Sequence, residues 1–316
     1  MKERILLFVI AIITSGVLLS CGYAEVIDGD YSGQLNQKEV RFSSNILMFT
    51  AYSSTDSTPS VSRIIGGKWE PGDAVGIYMF EKESYSVVGG AGNVKYVTEY
   101  GGKTGNFISE NSKVYFPVNG REVRFMSYYP YSEYTSGIIY KVDVSNQVPQ
   151  SDIDLLYSFD VAATYDSNIE IRRVPMDFER QLTKIYINVR NGDGLQSSDL
   201  TKMKVYITGL STKADFNLLT GKLSRLTGLS PIYPSVIIAG GGNIYSGEAI
   251  VIPTSSASNA KIVIDLNNGK GVYTWNLDGV FYKGKQYTYD VTVTRSGISV
   301  NSKIQNWHVV SQETSV

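Results

Sequence analysis

Tyr287-Thr288-Tyr289-Asp290-Val291-Thr292-Val293-Thr294 alternates without a break, with large apolar or aromatic residues at one parity and polar residues at the other. Successive side chains of a strand point to opposite faces, so this order predicts a strand with one face on a core. Gly297 then turns the chain, and Ile298, Val300 and Ile304 resume the alternation. The same period recurs upstream. In residues 40–49, Val40, Phe42, Ile46 and Met48 share a face opposite Arg41, Ser43 and Asn45. Further strands are predicted over residues 74–80, 115–117, 123–129, 153–157, 182–189, 205–207, 249–252, 261–266 and 273–277. Turn residues stand between them: Trp69-Glu70-Pro71-Gly72-Asp73, the hairpin pair Asn119-Gly120, and Pro130 closing Tyr128-Tyr129. A 3.6-residue period reaches one helical turn at most, within residues 197–203. Many short strands with regular turns predict an all-β chain of β-sandwich domains.

The chain of 316 residues is long enough for two domains, and its 23 tyrosines and 30 glycines suit pleated surfaces and tight turns. A polar break at residues 166–174 is the expected division, between an N-terminal domain, 38–165, and a C-terminal domain, 175–316, that restarts at Met176-Asp177-Phe178. The net charge of −1 gives no electrostatic case for a nucleic-acid partner.

Residues 1–20 read as an export signal. Lys2 and Arg4 precede an apolar run, 5–19, too short for a membrane span, which needs about 20 residues. The run ends at Leu18-Leu19-Ser20-Cys21, and Cys21 is the single cysteine. That order looks like a bacterial lipoprotein signal, cut before Cys21, which is then acylated and anchors the chain to membrane lipid. Several acyl chains anchor stably where one does not. Residues 21–37 form a polar tether.

Little in the chain supports catalysis. His308 is the single histidine, and the domains carry no cysteine. No HExxH, G-x-S-x-G or P-loop is present, so neither catalytic residues nor a metal or cofactor is expected. Asp152 and Asp154 read as a solvated strand edge, and Gly240-Gly241-Gly242 as a hairpin loop rather than a phosphate cradle. Arg63 follows a Ser/Thr/Pro-rich loop of the kind proteases nick, which leaves two readings open, a cleavage site before Ile64 or an ordinary surface arginine.

An ordered series of phrases resembles the Mfa-like branch of the fimbrillin family. It includes Val40-Arg41-Phe42-Ser43-Ser44-Asn45-Ile46, Lys68-Trp69-Glu70-Pro71-Gly72-Asp73-Ala74-Val75-Gly76-Ile77-Tyr78-Met79 and Asn93-Val94-Lys95-Tyr96. Val114-Tyr115-Phe116-Pro117, Val123-Arg124-Phe125-Met126-Ser127-Tyr128-Tyr129-Pro130-Tyr131 and Ile153-Asp154-Leu155-Leu156-Tyr157-Ser158 follow. The second half adds Val189-Arg190-Asn191-Gly192-Asp193-Gly194, Ala214-Asp215-Phe216, Tyr273-Thr274-Trp275, Tyr287-Thr288-Tyr289 and Ile304-Gln305-Asn306-Trp307.

The resemblance implies two tandem transthyretin-like β-sandwich domains and a lipoprotein subunit of outer-membrane, cell-surface fimbriae. It implies removal of the first strand (Val40, Phe42, Ile46, Met48) by cleavage after Arg63. A C-terminal strand of the next subunit would refill the groove, with Ile298, Val300, Ile304 and Val310 as the donor set. The implied partners are other fimbrial subunits, outer-membrane lipid through Cys21, and a host or bacterial surface ligand. The alternative is a monomeric surface lipoprotein binding glycans through Tyr128, Tyr129, Tyr131, Trp69 or Trp275.

Overall fold

The computed structural model describes residues 38–46, 68–109, 111–165, 173–237, 239–267, 269 and 271–307. The first half carries β1 (Arg41–Ile46), β2 (Ala74–Glu81), β3 (Val94–Thr98), β4 (Thr104–Ile108), β5 (Val123–Tyr129), β6 (Ile139–Asp143), β7 (Leu156–Ala163) and β8 (Arg173–Arg180). The second carries β9 (Thr183–Asn191), the one-turn helix α1 (Ser197–Leu200), β10 (Lys204–Thr208), β11 (Lys213–Asn217), β12 (Lys222–Thr227) and β13 (Ser235–Ile237). It closes with β14 (Tyr245–Val251), β15 (Ala260–Asp265), β16 (Val272–Leu277), β17 (Lys285–Thr294) and β18 (Gly297–Asn306).

Seven strands close a barrel in the order β1-β4-β3-β2-β5-β7-β8. The second half forms a five-stranded sheet, β13-β14-β9-β17-β18, and a three-stranded sheet, β10-β15-β16. Tyr287, Tyr289, Val291 and Val293 of β17 are buried between these sheets, as their alternation requires. The small sheet β12-β11-β6 joins the halves, since β6 of the first pairs with β11 of the second.

β2 and β5 are buried on both faces. Val75, Ile77 and Met79 point into the barrel, while Tyr78 and Phe80 point out onto a second core with Phe216, Leu182 and Ile250. A strand covered on both sides reads as a continuous apolar run, which is the sequence of 74–80 and, apart from Arg124 and Ser127, of 123–129.

Three expectations change. The break at 166–174 does not divide the sheets: β8 pairs with β1 and β7, so Met176 and Phe178 lie in the barrel core instead of opening a second body. Tyr115-Phe116-Pro117 is not a strand but a bridge, Glu39 against Tyr115, that extends the seat of β1. Asp154 is no solvated edge. It is buried in an ion pair with Arg180 at 3.1 Å, just after the 3-10 turn Gln150–Asp152, where its N–H donates to Gln150 O at 3.0 Å.

Candidate strand-acceptor site

β1 is bonded along both edges. It runs antiparallel to β4, with Phe42 opposite Phe107 and Ser44 opposite Gly105, and parallel to β8, with Phe42 opposite Val174 and Ile46 opposite Phe178. Its entry is fixed by Val40 N–H donating to Val114 O at 2.8 Å and Phe116 N–H donating to Lys38 O at 3.0 Å. Val40, Phe42, Ser44 and Ile46 are buried, while Arg41 and Asn45 are exposed. The Phe42 ring meets Tyr96 and Phe125 edge-on, at centroid distances of 5.1 and 5.3 Å. Edge-to-face pairs add to the gain from area burial.

Ser44 breaks the apolar rule on the inner face, and the reason is space. A Cβ on Gly105 opposite it would lie 2.9 Å from both Ser44 Oγ and the Trp69 indole. Only a small side chain fits there, and Trp69 fills what remains, edge-on to Phe107, Tyr129 and Phe178. Burial pushes the Tyr96 hydroxyl up to about 12, against the smaller effect of Val114 N–H donating to it at 3.0 Å.

Of the expected displaced strand, Val40, Phe42 and Ile46 line the barrel together, whereas Met48 lies outside the described residues. Cys21, Arg63, Ile64, His308 and Val310 also lie outside them. The donor residues Ile298, Val300 and Ile304 sit on β18, which pairs with β17 over its full length, Lys285 opposite Asn306 through Thr294 opposite Gly297. Ile298 and Val300 pack partly on the second-half core, and Ile304 is exposed.

The aromatic glycan platform is largely overturned. Trp69 and Tyr128 are 1% and 0% exposed and Tyr129 is buried with them, because both faces of their part of the barrel are covered. Tyr131 remains half-buried and Trp275 exposed. Among the described residues, no group of three or more His, Cys, Asp or Glu could hold a metal ion, and no helix is long and apolar enough to cross a membrane.

In this β-structured chain the first strand is held in the barrel by both of its edges and by its inner face. Residues 62–307 match the fimbrillin-like family model, and the chain belongs to that family. Fim1C of Bacteroides uniformis, named as a candidate fimbrium subunit, is 30% identical over 266 residues, covering 81% of this chain and 84% of its own. A crystal structure of a candidate cell adhesion protein from Bacteroides uniformis superposes with a TM-score of 0.66 at 28% identity, over 85% of this chain and 98% of the other. A counterpart from Bacteroides ovatus shares the fold, with a TM-score of 0.63 at 20% identity, over 87% of this chain and 99% of the other. The chain is thus a fimbrial or adhesin-type surface subunit of the Mfa-like family.

Proposed function

We propose that this chain is a fimbrial subunit that assembles by proteolysis-triggered strand exchange. The observation that carries the reading is β1 itself, bonded along both edges and closing the barrel with three inward side chains and Val40 just before them. Were it withdrawn, β4 and β8 would face each other across a groove with two rows of free backbone groups and pockets for alternate side chains. Those are the elements of recognition by strand addition. Head-to-tail contacts of this kind do not close on themselves and so build filaments.

In this reading, cleavage after Arg63 leaves Ile64 as the new N-terminus and frees β1. Apolar burial of Val40, Phe42 and Ile46, roughly 1.5–3 kcal/mol each, retains the strand until a competitor arrives. The competitor is the β18 segment of the next subunit, with Ile298, Val300 and Ile304 on one face and Val310 beyond. It must first leave β17. We read the halves as two transthyretin-like sandwich units, 38–180 and 182–307, and Cys21 as the lipid attachment that holds the subunit at the outer membrane.

The test treats purified wild-type and Arg63→Ala subunits with a trypsin-like protease and follows filaments by electron microscopy. Wild type should yield an Ile64 N-terminus and filaments, and Arg63→Ala neither. Filaments of normal length from Arg63→Ala would reject the mechanism.

One observation favours glycan binding as a second role. A groove of about 360 Å³ is lined by Asn93, Lys95, Asn111 and Tyr131 among others, with the Lys95 ammonium 5.5 Å from the Tyr131 ring centroid. Carbohydrate binding by the uncut monomer, lost in Tyr131→Ala, would support it.

A further inference from the structure

The last strand ends against four buried charges at the junction of the two halves. Arg180 of β8 pairs with Asp154 at 3.1 Å, and Lys184 of β9 pairs with Glu248 of β14 at 2.7 Å, with all four side chains no more than 7% exposed. Gln147 and Gln150 tie the same place to β14. Gln147 accepts from Ile250 N–H at 2.7 Å and donates to Ile250 O at 2.9 Å, and Gln150 donates to Glu248 O at 2.9 Å.

Trp307 follows β18 directly and is buried here. Its ring centroid lies 4.7 Å from the Arg180 guanidinium carbon and 5.0 Å from the Lys184 ammonium, and its backbone N–H donates to Gly284 O at 2.9 Å. Burial along β18 is lowest in its middle: residues 301–304 are exposed, whereas Gln305 and Asn306 are half-buried and Trp307 is buried. The strand is therefore pinned at the Arg295-Ser296 turn, one residue earlier than the Gly297 expected from the sequence, and at Trp307, with a loosely covered stretch between.

We propose that Trp307 is a latch that keeps β18 on its own subunit, so that β18 leaves β17 only when the indole leaves its seat. This rests on reading β18 as the donor strand. An indole is the strongest aromatic partner for a cation, and the attraction grows when the cation is desolvated. Each cation here also has its own carboxylate. Withdrawal of the indole thus strands no unpaired buried charge, which would be the costly outcome. That balance makes the latch openable without dismantling the junction.

Hydrogen exchange on the full-length, uncut subunit tests it, comparing wild type with Trp307→Leu and Trp307→Ala. Leucine refills apolar volume without a π face. Amides of β18 should exchange at least tenfold faster in both variants, while β2 and β5 keep wild-type protection. Unchanged β18 exchange, or a rise shared equally by β2 and β5, would overturn the latch. Should the alanine variant not fold, Trp307→Phe should give an intermediate rise, and wild-type exchange in it together with Trp307→Leu would overturn the proposal. Filament growth after protease treatment separates the two ideas. Faster growth of Trp307→Leu supports both, whereas looser β18 with unchanged growth leaves the latch standing and removes β18 as the donor.

Discussion

β1 is bonded to β4 and β8 and, with Val40 just before it, turns Phe42, Ser44 and Ile46 into a core, whereas among the described residues β18 is bonded to β17 alone and leaves Ile304 64% exposed. Taking β1 away opens two rows of backbone groups and a set of apolar pockets. Taking β18 away leaves β17 with a bare edge and uncovers the partly buried Ile298 and Val300, with Trp307 beyond the strand as the one fully buried side chain it withdraws. Unpaired backbone in an apolar groove is expensive, so the first strand needs a replacement when it departs. The last strand is the more easily spared of the two, which suits it to be the replacement.

The sharpest way to break this comparison is to truncate one apolar side chain on each strand. Phe42→Ala should destabilise the barrel by about 3–5 kcal/mol, the cost of emptying a packed phenylalanine site. Ile304→Ala should stay within about 0.5 kcal/mol, as expected of an exposed position. Urea denaturation of both variants measures the difference, and equal losses would remove the distinction between the strands.

A pH titration gives the next largest effect. Burial pushes Tyr96, beneath β1, and Tyr289, on β17 beside β18, each up to about 12. The folded state therefore keeps phenolic protons that the unfolded chain loses near pH 10. Their contribution to stability is constant below about pH 10 and falls between about 10 and 12, by on the order of 2–3 kcal/mol per tyrosine. Displacing β1 removes the ring of Phe42 from Tyr96, so Tyr96 should titrate closer to 10 while Tyr289 does not move. Tyrosinate absorbance of cut protein with and without its β1 peptide, with Tyr96→Phe as the reference, measures this. Identical curves would mean that β1 does not cover Tyr96.

The strands legible in the sequence are those whose pattern matches one or two covered faces. β17 alternates cleanly, and β5 agrees with its expected bounds to the residue. β4 escaped because Thr104-Gly105-Asn106-Phe107-Ile108 buries only a glycine and one phenylalanine. β6, β11 and β13 escaped because they are short, and β12 because it lies at a sheet edge with little of it buried. The inward set of β1 was legible except for Ser44, whose burial depends on Gly105 and Trp69 far along the chain. The alternative of Trp69, Tyr128 and Tyr129 as a surface platform fails for the same reason. Their covers come from distant strands, and alternation records which face a residue takes, not what lies opposite. The Lys184–Glu248 pair, 64 residues apart, left no local signal at all.

The smallest expected effect concerns what holds β1 from outside. Lys113 pairs with Glu39 at 3.0 Å just before the strand, with both side chains partly exposed. Exposed pairs contribute about 0–1 kcal/mol, because water screens the attraction and two long side chains lose freedom. Glu39 also bridges to Tyr115 through its backbone, a link that Glu39→Gln keeps. After cleavage, release of β1 from Glu39→Gln should therefore quicken by no more than about fivefold, an upper bound set by ~1 kcal/mol. Added salt should erase that difference, since a screened pair has nothing left to lose. Release of a labelled β1 peptide at low and high ionic strength checks both points. A much larger acceleration would mean that charge outside the groove, and not the packing of Val40, Phe42 and Ile46 inside it, retains the first strand.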